Sequence, residues 1–394
     1  MAKVKSFQTD IRRERKKKKI KRFLRRFAIV LCIVAAAAAA FFTRNLWVPW
    51  FEGILDRAQT VTVNDGELEK GNFPISVGEA ATGAKLLRFD DDFILATDTY
   101  INFYKSNGEH INSIQHKFSD PVVKIGDDRL LVYDRAGNRI CVMNEKEVIF
   151  ERELDEEIYF AQIASNDSIA VVTTAEGFPS YMTVYNKDGE VIYRFANGTR
   201  FTSVDFKPSG FGCYVSAFEI KGGSMVSGIY SLDFDSDKVE FRSDDIQNTA
   251  IIKTVRLSDG DLVAVCDDRF VRLDKSGKVK SSAQYKSDII DFDATEEVVS
   301  IAVEGISSDN DSKLIIIRSD SDEIQMDIDK RVKSLRCDTK NTYVLTDDSI
   351  EMFSFSGKKL ATAKVSSEYV DFISIDDEVL FLGYREINKI EYSY

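Results

Sequence analysis

Few residues in this 394-residue chain have the type and spacing for catalysis or metal binding, and each candidate has a plainer role beside it. The two histidines, His110 and His116, are six positions apart. On an extended strand that spacing puts them on one face but about 20 Å apart, at roughly 3.3 Å per residue. They are too far apart to share a metal, and surface positions are expected for both. Asp233, Asp235 and Asp237 (in DFDSD) resemble the opening of a calcium loop, and Asp309, Asp311 and Ser312 (in DNDS) resemble it less completely. Neither run has the glycine and the closing glutamate at the offsets such a loop requires, and aspartate is a favoured turn residue. Neighbouring carboxylates such as Asp90, Asp91 and Asp92 have the composition of an acid–base pair. Similar runs recur along the chain, as scaffold turns do. Cys32, Cys141, Cys213, Cys266 and Cys337 form no CxxC pair or metal-ligand spacing. Separate buried thiols are expected, with one disulfide as the alternative. There is no HExxH, GxSxG, P-loop or dinucleotide fingerprint. The sequence thus points to no catalytic residue, no metal and no cofactor.

The elements that would carry any site are strands. From Lys85 onward, short alternating apolar runs are split by Asp, Asn, Gly and Ser turns, an all-β pattern. One turn motif recurs: FYKSNGEHI from Phe103, VYNKDGEVI from Val184, VRLDKSGKV from Val271 and MFSFSGKKL from Met352. Each is a strand, a tight polar turn whose glycine supplies positive φ, and a second strand. Weaker copies start at Val142, Tyr230 and Ile315, so the turns fall near Asn107, Glu145, Asp188, Ser236, Ser276, Ser321 and Ser356. A four-stranded repeat of about 40–45 residues is the period of a propeller blade. Seven full blades, each with strands A to D, cover residues 85–366. The tail from Tyr369 supplies an A, a B and a C strand but no D. An unpaired edge is a liability, and Phe73–Val77 (FPISV) is placed to cover it. The expected fold is an all-β propeller of eight four-stranded blades, with seven as the alternative.

Charge divides the chain. Thirteen of the 53 Lys and Arg residues but only two of the 65 acids, Asp10 and Glu14, lie in residues 1–26, which leaves 40 and 63 for the remainder. So acidic a body repels nucleic acid. The basic tail ends at Arg25 and Arg26, where the uncharged run Phe27–Phe42 begins. Extended through Thr43, this run is expected to be a transmembrane helix in the lipid bilayer, with Trp47 and Trp50 as an interfacial aromatic belt. The alternative is a cleaved signal peptide. Excess Lys and Arg marks the cytoplasmic side, so the N-terminus is expected inside and the rest outside. The resulting division is a cytoplasmic tail (1–26), a transmembrane helix (27–43), an interfacial segment and stalk (44–72) and an extracytoplasmic propeller (73–394).

The basic tail, the Ala-rich apolar run and a propeller body without tryptophan together resemble a family of single-pass membrane-anchored extracytoplasmic β-propellers of Gram-positive bacteria. The blades also resemble, distantly, the quinoprotein-type repeat of outer-membrane assembly lipoproteins. That repeat ends each blade with a docking tryptophan, which this body lacks. The resemblance implies a fold and a location but no activity.

In such a fold the B–C and D–A connections share one face, and the A–B and C–D turns share the other. The longest connections are read as B–C loops: Ala175–Ser180, Ile220–Met225 and Glu304–Asp311. Long loops on a rigid scaffold are where binding resides. Glu176, Phe178, Tyr181, Lys221 and Met225 are therefore the expected partner-binding residues, for a protein or a cell-envelope polymer. The expected function is a membrane-tethered binding scaffold. The alternatives are an Asp/Glu enzyme acting on an envelope polysaccharide and a transmembrane sensor.

Overall fold

The computed structural model describes residues 62–63, 72–77 and 83–393, other than 237, 306–310, 320 and 377. The expected anchor residues Arg25, Arg26, Phe27, Phe42, Trp47 and Trp50 lie outside the described residues. No helix among the described residues is long and apolar enough to cross a membrane.

Eight antiparallel sheets follow one another along the chain. Residues 85–115, 121–153, 158–196, 200–247, 251–284, 289–328 and 332–364 form blades 1 to 7, each in the order A–B–C–D. Blade 8 has strands A (Tyr369–Ile375), B (Glu378–Gly383) and C (Glu386–Ser393). All seven expected C–D turns fall between the C and D strands of their blades. The A strands touch between blades 1 and 2, 2 and 3, 3 and 4, 4 and 5, 6 and 7, 7 and 8, and 8 and 1. The A strands therefore surround the axis, and the D strands form the rim.

The alternation of side chains explains why these sequences stack as blades. Successive residues of a strand point to opposite faces, and each inner strand is covered on both faces by neighbouring blades. Leu262–Cys266, the B strand of blade 5, is accordingly buried at every position. In blade 1, Phe93 and Leu95 pack toward blade 8 while Ile94 and Ala96 pack toward blade 2. D strands meet water and are more polar, as in Val279–Gln284 (VKSSAQ). Among the described residues the buried side chains form eight clusters, one between each pair of adjacent blades around the whole ring.

The eighth cluster depends on chain from the N-terminal side. Ile75–Ser76 pairs antiparallel with the last strand, Ile75 opposite Ile387 and Ser76 opposite Glu386. Thr62–Val63, in the segment read as stalk, is a second short piece on the same edge, opposite Ser393 and Tyr392. Phe73 shows that this segment plays the part of a D strand. In blades 3 and 5 the C–D turn glycine sits against an aromatic ring on the preceding blade's D strand. Gly189 faces Phe150 and Gly277 faces Phe241, so closely that a methyl group on Gly277 would lie 2.8 Å from the ring. Gly108 of blade 1 faces Phe73 in the same way, at 3.0 Å. The Asn72 N–H donates to the Asn107 carbonyl at 3.0 Å in that turn, much as the Asp244 N–H donates to Gly277 at 2.9 Å. Phe73 is 6 % exposed, stacks on Phe93 at 6.2 Å, and bridges residues of blades 1 and 8 in one cluster.

Truncating a buried phenylalanine removes its transfer free energy and leaves a cavity. Phe73→Ala is expected to lower stability by about 3–5 kcal/mol, measured by urea denaturation. A loss below about 1 kcal/mol, the range of an ordinary surface change, would mean that Phe73 does not bind the two blades together.

Candidate functional site

The residues expected to bind a partner sit on two neighbouring hairpins, but not on loops. Strand B of blade 3 runs from Ile169 to Ala175 and strand C from Phe178 to Tyr185, so Glu176 and Gly177 make a two-residue turn. In blade 4 the strands Gly212–Lys221 and Ser224–Asp233 pair without interruption up to Gly222–Gly223, with Lys221 opposite Ser224. The expectation of loops at 175–180 and 220–225 is thus corrected: both are extensions of the strands. The flexible residues there are glycines with positive φ, Gly177, Gly222 and Gly223, which complete a hairpin and leave the flanking chain free to pair. In the third region Glu304 pairs with Ser312, and residues 306–310 lie outside the described residues.

The hairpin tips differ in what they offer. Glu176 and Phe178 are exposed, Phe178 at 45 %. Tyr181 is half-buried within the sheet, opposite Thr173 and Ala196. Lys221 is exposed and pairs with Glu219 at 2.9 Å, while Met225 is half-buried. Ile220, beside Lys221, is 64 % exposed. The B–C turns of blades 1 and 8 also expose an aromatic side chain each, Tyr100 and Tyr384. On the opposite face Phe211 is the exposed aromatic side chain among the described residues, and Val148, Val191, Val239 and Val279 stand exposed where D strands leave the C–D turns.

A second polar region lies on the A strands and was not foreseen. Asp205 of blade 4 accepts the Thr254 N–H of blade 5 at 2.9 Å and the Ser203 hydroxyl at 2.8 Å. Asp293 of blade 6 accepts the Cys337 N–H of blade 7 at 2.9 Å. Asp291 accepts the Leu335 N–H at 2.8 Å and the Arg336 guanidinium at 2.9 Å. The same guanidinium reaches Asp371 of blade 8 at 2.6 Å, which also accepts the Ser334 hydroxyl at 2.9 Å. Behind these, the hydroxyls of Ser216 and Thr254 meet at 2.8 Å between blades 4 and 5, and those of Ser300 and Thr342 at 2.8 Å between blades 6 and 7. Burial raises the pKa of Asp205, Asp293 and Asp371 above the ordinary carboxylate value. Burial, and then the nearby Lys253 and Lys85, depresses Lys124 on blade 2. These acids tie blades together, since their oxygens are taken up by amide, hydroxyl and guanidinium donors of the neighbouring A strand.

The other candidates resolve into structure. His110 is exposed as expected, but His116 is 2 % exposed, which corrects the surface reading. It follows the D strand and tucks beneath Phe118, its Nε2 donating to the Thr97 carbonyl at 3.0 Å and its Nδ1 accepting the Phe118 N–H at 3.1 Å. Cys141, Cys213 and Cys266 are buried and Cys337 half-buried, all as free thiols. Burial pushes the Cys141 and Cys266 thiols up to about 12, so neither supplies a thiolate at neutral pH. Asp92 accepts the Ser106 N–H at 2.8 Å, joining the A–B and C–D turns of one blade. No group of three or more His, Cys, Asp or Glu among the described residues is arranged to hold a metal ion. One further carboxylate is raised: burial, and then a hydrogen bond with Asp128, raises Asp167 to about 6 at the outer corner of blades 2 and 3.

Residues 75–392 match the family described as "Family of unknown function (DUF5711)". The chain belongs to that family. The match begins at the closing strand and takes in all eight blades of this DUF5711 member. No curated protein sequence matches the chain. Among solved structures, BamB from Moraxella catarrhalis is similar at a TM-score of 0.56 and 11% identity, over 85% of this chain and 98% of that one. Sqt1 from Saccharomyces cerevisiae is similar at a TM-score of 0.55 and 9% identity, over 76% and 93%. AztD from Citrobacter koseri, in its apo form, is similar at 0.50 and 11% identity, over 72% and 86%. At these identities the likeness is one of fold.

The Asp205 pKa gives a signed expectation. A folded-state pKa above the unfolded value means that the folded protein holds the proton more tightly. Stability contributed this way is full below the unfolded value of 3.8 and is lost as pH rises through the folded value. Asn in its place keeps an oxygen for the Thr254 N–H and does not titrate. The stability of the natural protein relative to Asp205→Asn should therefore fall as pH is raised above 3.8, read from urea denaturation across pH. A difference that is constant or rises with pH would contradict the buried setting of Asp205.

Proposed function

We propose that this protein is a membrane-tethered extracytoplasmic scaffold that binds a protein or cell-envelope polymer on the B–C face of its propeller. The observation that carries the reading is the contrast between the two faces. Three of the four exposed aromatic side chains among the described residues, Tyr100, Phe178 and Tyr384, stand at the B–C ends of blades 1, 3 and 8 with Ile220 of blade 4 beside them, whereas the opposite face exposes Phe211 and the valines that open D strands, Val148, Val191, Val239 and Val279. Exposed aromatic and aliphatic side chains on a rigid framework favour partner recognition, because they bury area with little loss of side-chain freedom. Phe178 and Ile220 lie on the extended hairpins, with Glu176 and Lys221 beside them as the polar rim and the half-buried Tyr181 and Met225 as support.

Tethering rests on residues 1–50: thirteen basic residues before Phe27, the uncharged run after it, and Trp47 and Trp50 beyond. Asn72 meets the Asn107 turn, so the chain joins the propeller on the C–D side. In the tethered reading that side looks toward the bilayer, and the B–C face looks away from it, toward wall or partner. The axial aspartates are the observation that favours an envelope-acting enzyme instead. Their oxygens are occupied by donors of the neighbouring blades, which favours a structural role.

A photo-crosslinking residue placed at 178 or 220 in the native membrane is expected to give a discrete adduct that the same residue at 107 or 276 does not. Phe178→Ser with Ile220→Ser should remove capture by a crosslinker at 176 and leave thermal stability nearly unchanged. Adducts from 107 and 276 alone would place binding on the other face.

A further inference from the structure

The C–D side carries a cleft whose charge runs against that of the body. It lies between the D strand of blade 4 and the turns of blade 5, with a volume of about 420 Å³. Its walls include Lys207, Tyr214, Glu240, Phe241, Arg256 and Lys275. Glu240 is the carboxylate among the described lining residues, and it is spoken for. It takes the Lys207 ammonium at 2.6 Å and the Ser231 hydroxyl at 2.6 Å, and Lys207, then Ser231, hold it below the usual carboxylate range. Asp259, in the turn beside the cleft, is held by Arg272 at 2.9 Å, and Asp274 caps the Ser276 and Lys278 amides of its own turn. Arg256 and Lys275 are both exposed, and their side chains make no ion pair or hydrogen bond among the described residues. They flank one residue: a methyl group on Gly260 would lie 3.8 Å from an Arg256 guanidinium nitrogen and 3.9 Å from Lys275 Cβ. Lys207 approaches the Tyr214 ring at 5.6 Å and closes the back of the cleft.

Two uncompensated cations beside a neutralised Lys–Glu pair, in a body with 63 acids to 40 bases, make a local reversal of field. We propose that this cleft binds a phosphate group, with the planar Arg256 guanidinium gripping two oxygens and Lys275 supplying a point charge. The phosphate belongs either to a soluble phosphate ester or to an anionic lipid headgroup. The lipid source alone rests on the tethered topology proposed above, and the site is independent of the B–C face.

The test is lysine acylation of the full-length protein at constant ionic strength, read peptide by peptide, with inorganic pyrophosphate or phosphatidylglycerol vesicles as probe. Reading Lys275 itself keeps the basic tail from contributing to the signal. Acylation of Lys275 is expected to slow about tenfold once pyrophosphate exceeds its dissociation constant about tenfold, since only the unoccupied site reacts. The exposed Lys364 of blade 7 should be unaffected, and Arg256→Gln should abolish the protection. Protection by vesicles but not by pyrophosphate supports a lipid headgroup, and protection by pyrophosphate supports a soluble phosphate. Lys275 reacting at the same rate with and without both probes overturns the proposal, as does protection that persists in Arg256→Gln.

Discussion

A ring of sheets has no free edge only if its last strand finds a partner, and here that partner comes from the other end of the domain. The pairing of Ile75 with Ile387 and of Ser76 with Glu386 is short, so hydrogen bonds alone hold it weakly. Phe73 adds what they lack: a buried ring between Leu86 and Phe93 of blade 1 and Leu380 and Ile387 of blade 8. Of the four glycine C–D turns, those of Gly189, Gly277 and Gly357 sit against Phe150, Phe241 and Met326 of the preceding D strand, and without this wedge Gly108 would be the one with no such side chain. Each of the other interfaces presupposes that blades stay pressed together around the circle, so closure constrains them all.

Within the closed ring, the A strands face a harder problem. They crowd around the axis, where polar groups are drawn away from bulk water and apolar ones cannot fill the space evenly. The chain answers with charge held in fixed geometry. Arg336 of blade 7 bridges Asp291 of blade 6 and Asp371 of blade 8, and Asp205 and Asp293 reach across to backbone amides of the next blade. A buried acid left without donors would be costly, so these contacts fix the register of one blade against another. They also leave the two outer faces free to diverge: long hairpins with exposed apolar tips on one, glycine turns and a cationic cleft on the other.

Much of this architecture was legible in the sequence because it is local. Gly108, Gly189, Gly277 and Gly357 all have φ near +80°, and the polar turns around them announce hairpins without reference to the rest of the chain. Their spacing then counts the blades, and the missing eighth D strand points to Phe73–Val77. What stayed hidden is what depends on contacts between blades. Asp205, Asp291, Asp293 and Asp371 look like any acid in an alternating strand, and only the ring brings them to donors on the next A strand. His116 reads as a surface residue until Phe118 folds over it. The segments 175–180 and 220–225 look like loops because glycine and polar residues cluster there, whereas pairing continues to the turn itself. Arg256 and Lys275 are 19 positions apart in the sequence and meet only across Gly260.

Ring closure is tested most directly by hydrogen exchange along the last strand. Ile75–Ser76 covers the outer side of the last strand at Glu386 and Ile387, and Thr62–Val63 covers it at Tyr392 and Ser393. The outward-facing amides at these covered positions should then exchange as slowly as those of the interior Leu262–Cys266 of blade 5. If the last strand's outward-facing amides instead exchange as rapidly as those of an exposed edge strand while the inward-facing ones stay protected, the ring is open between blades 8 and 1 and the account fails.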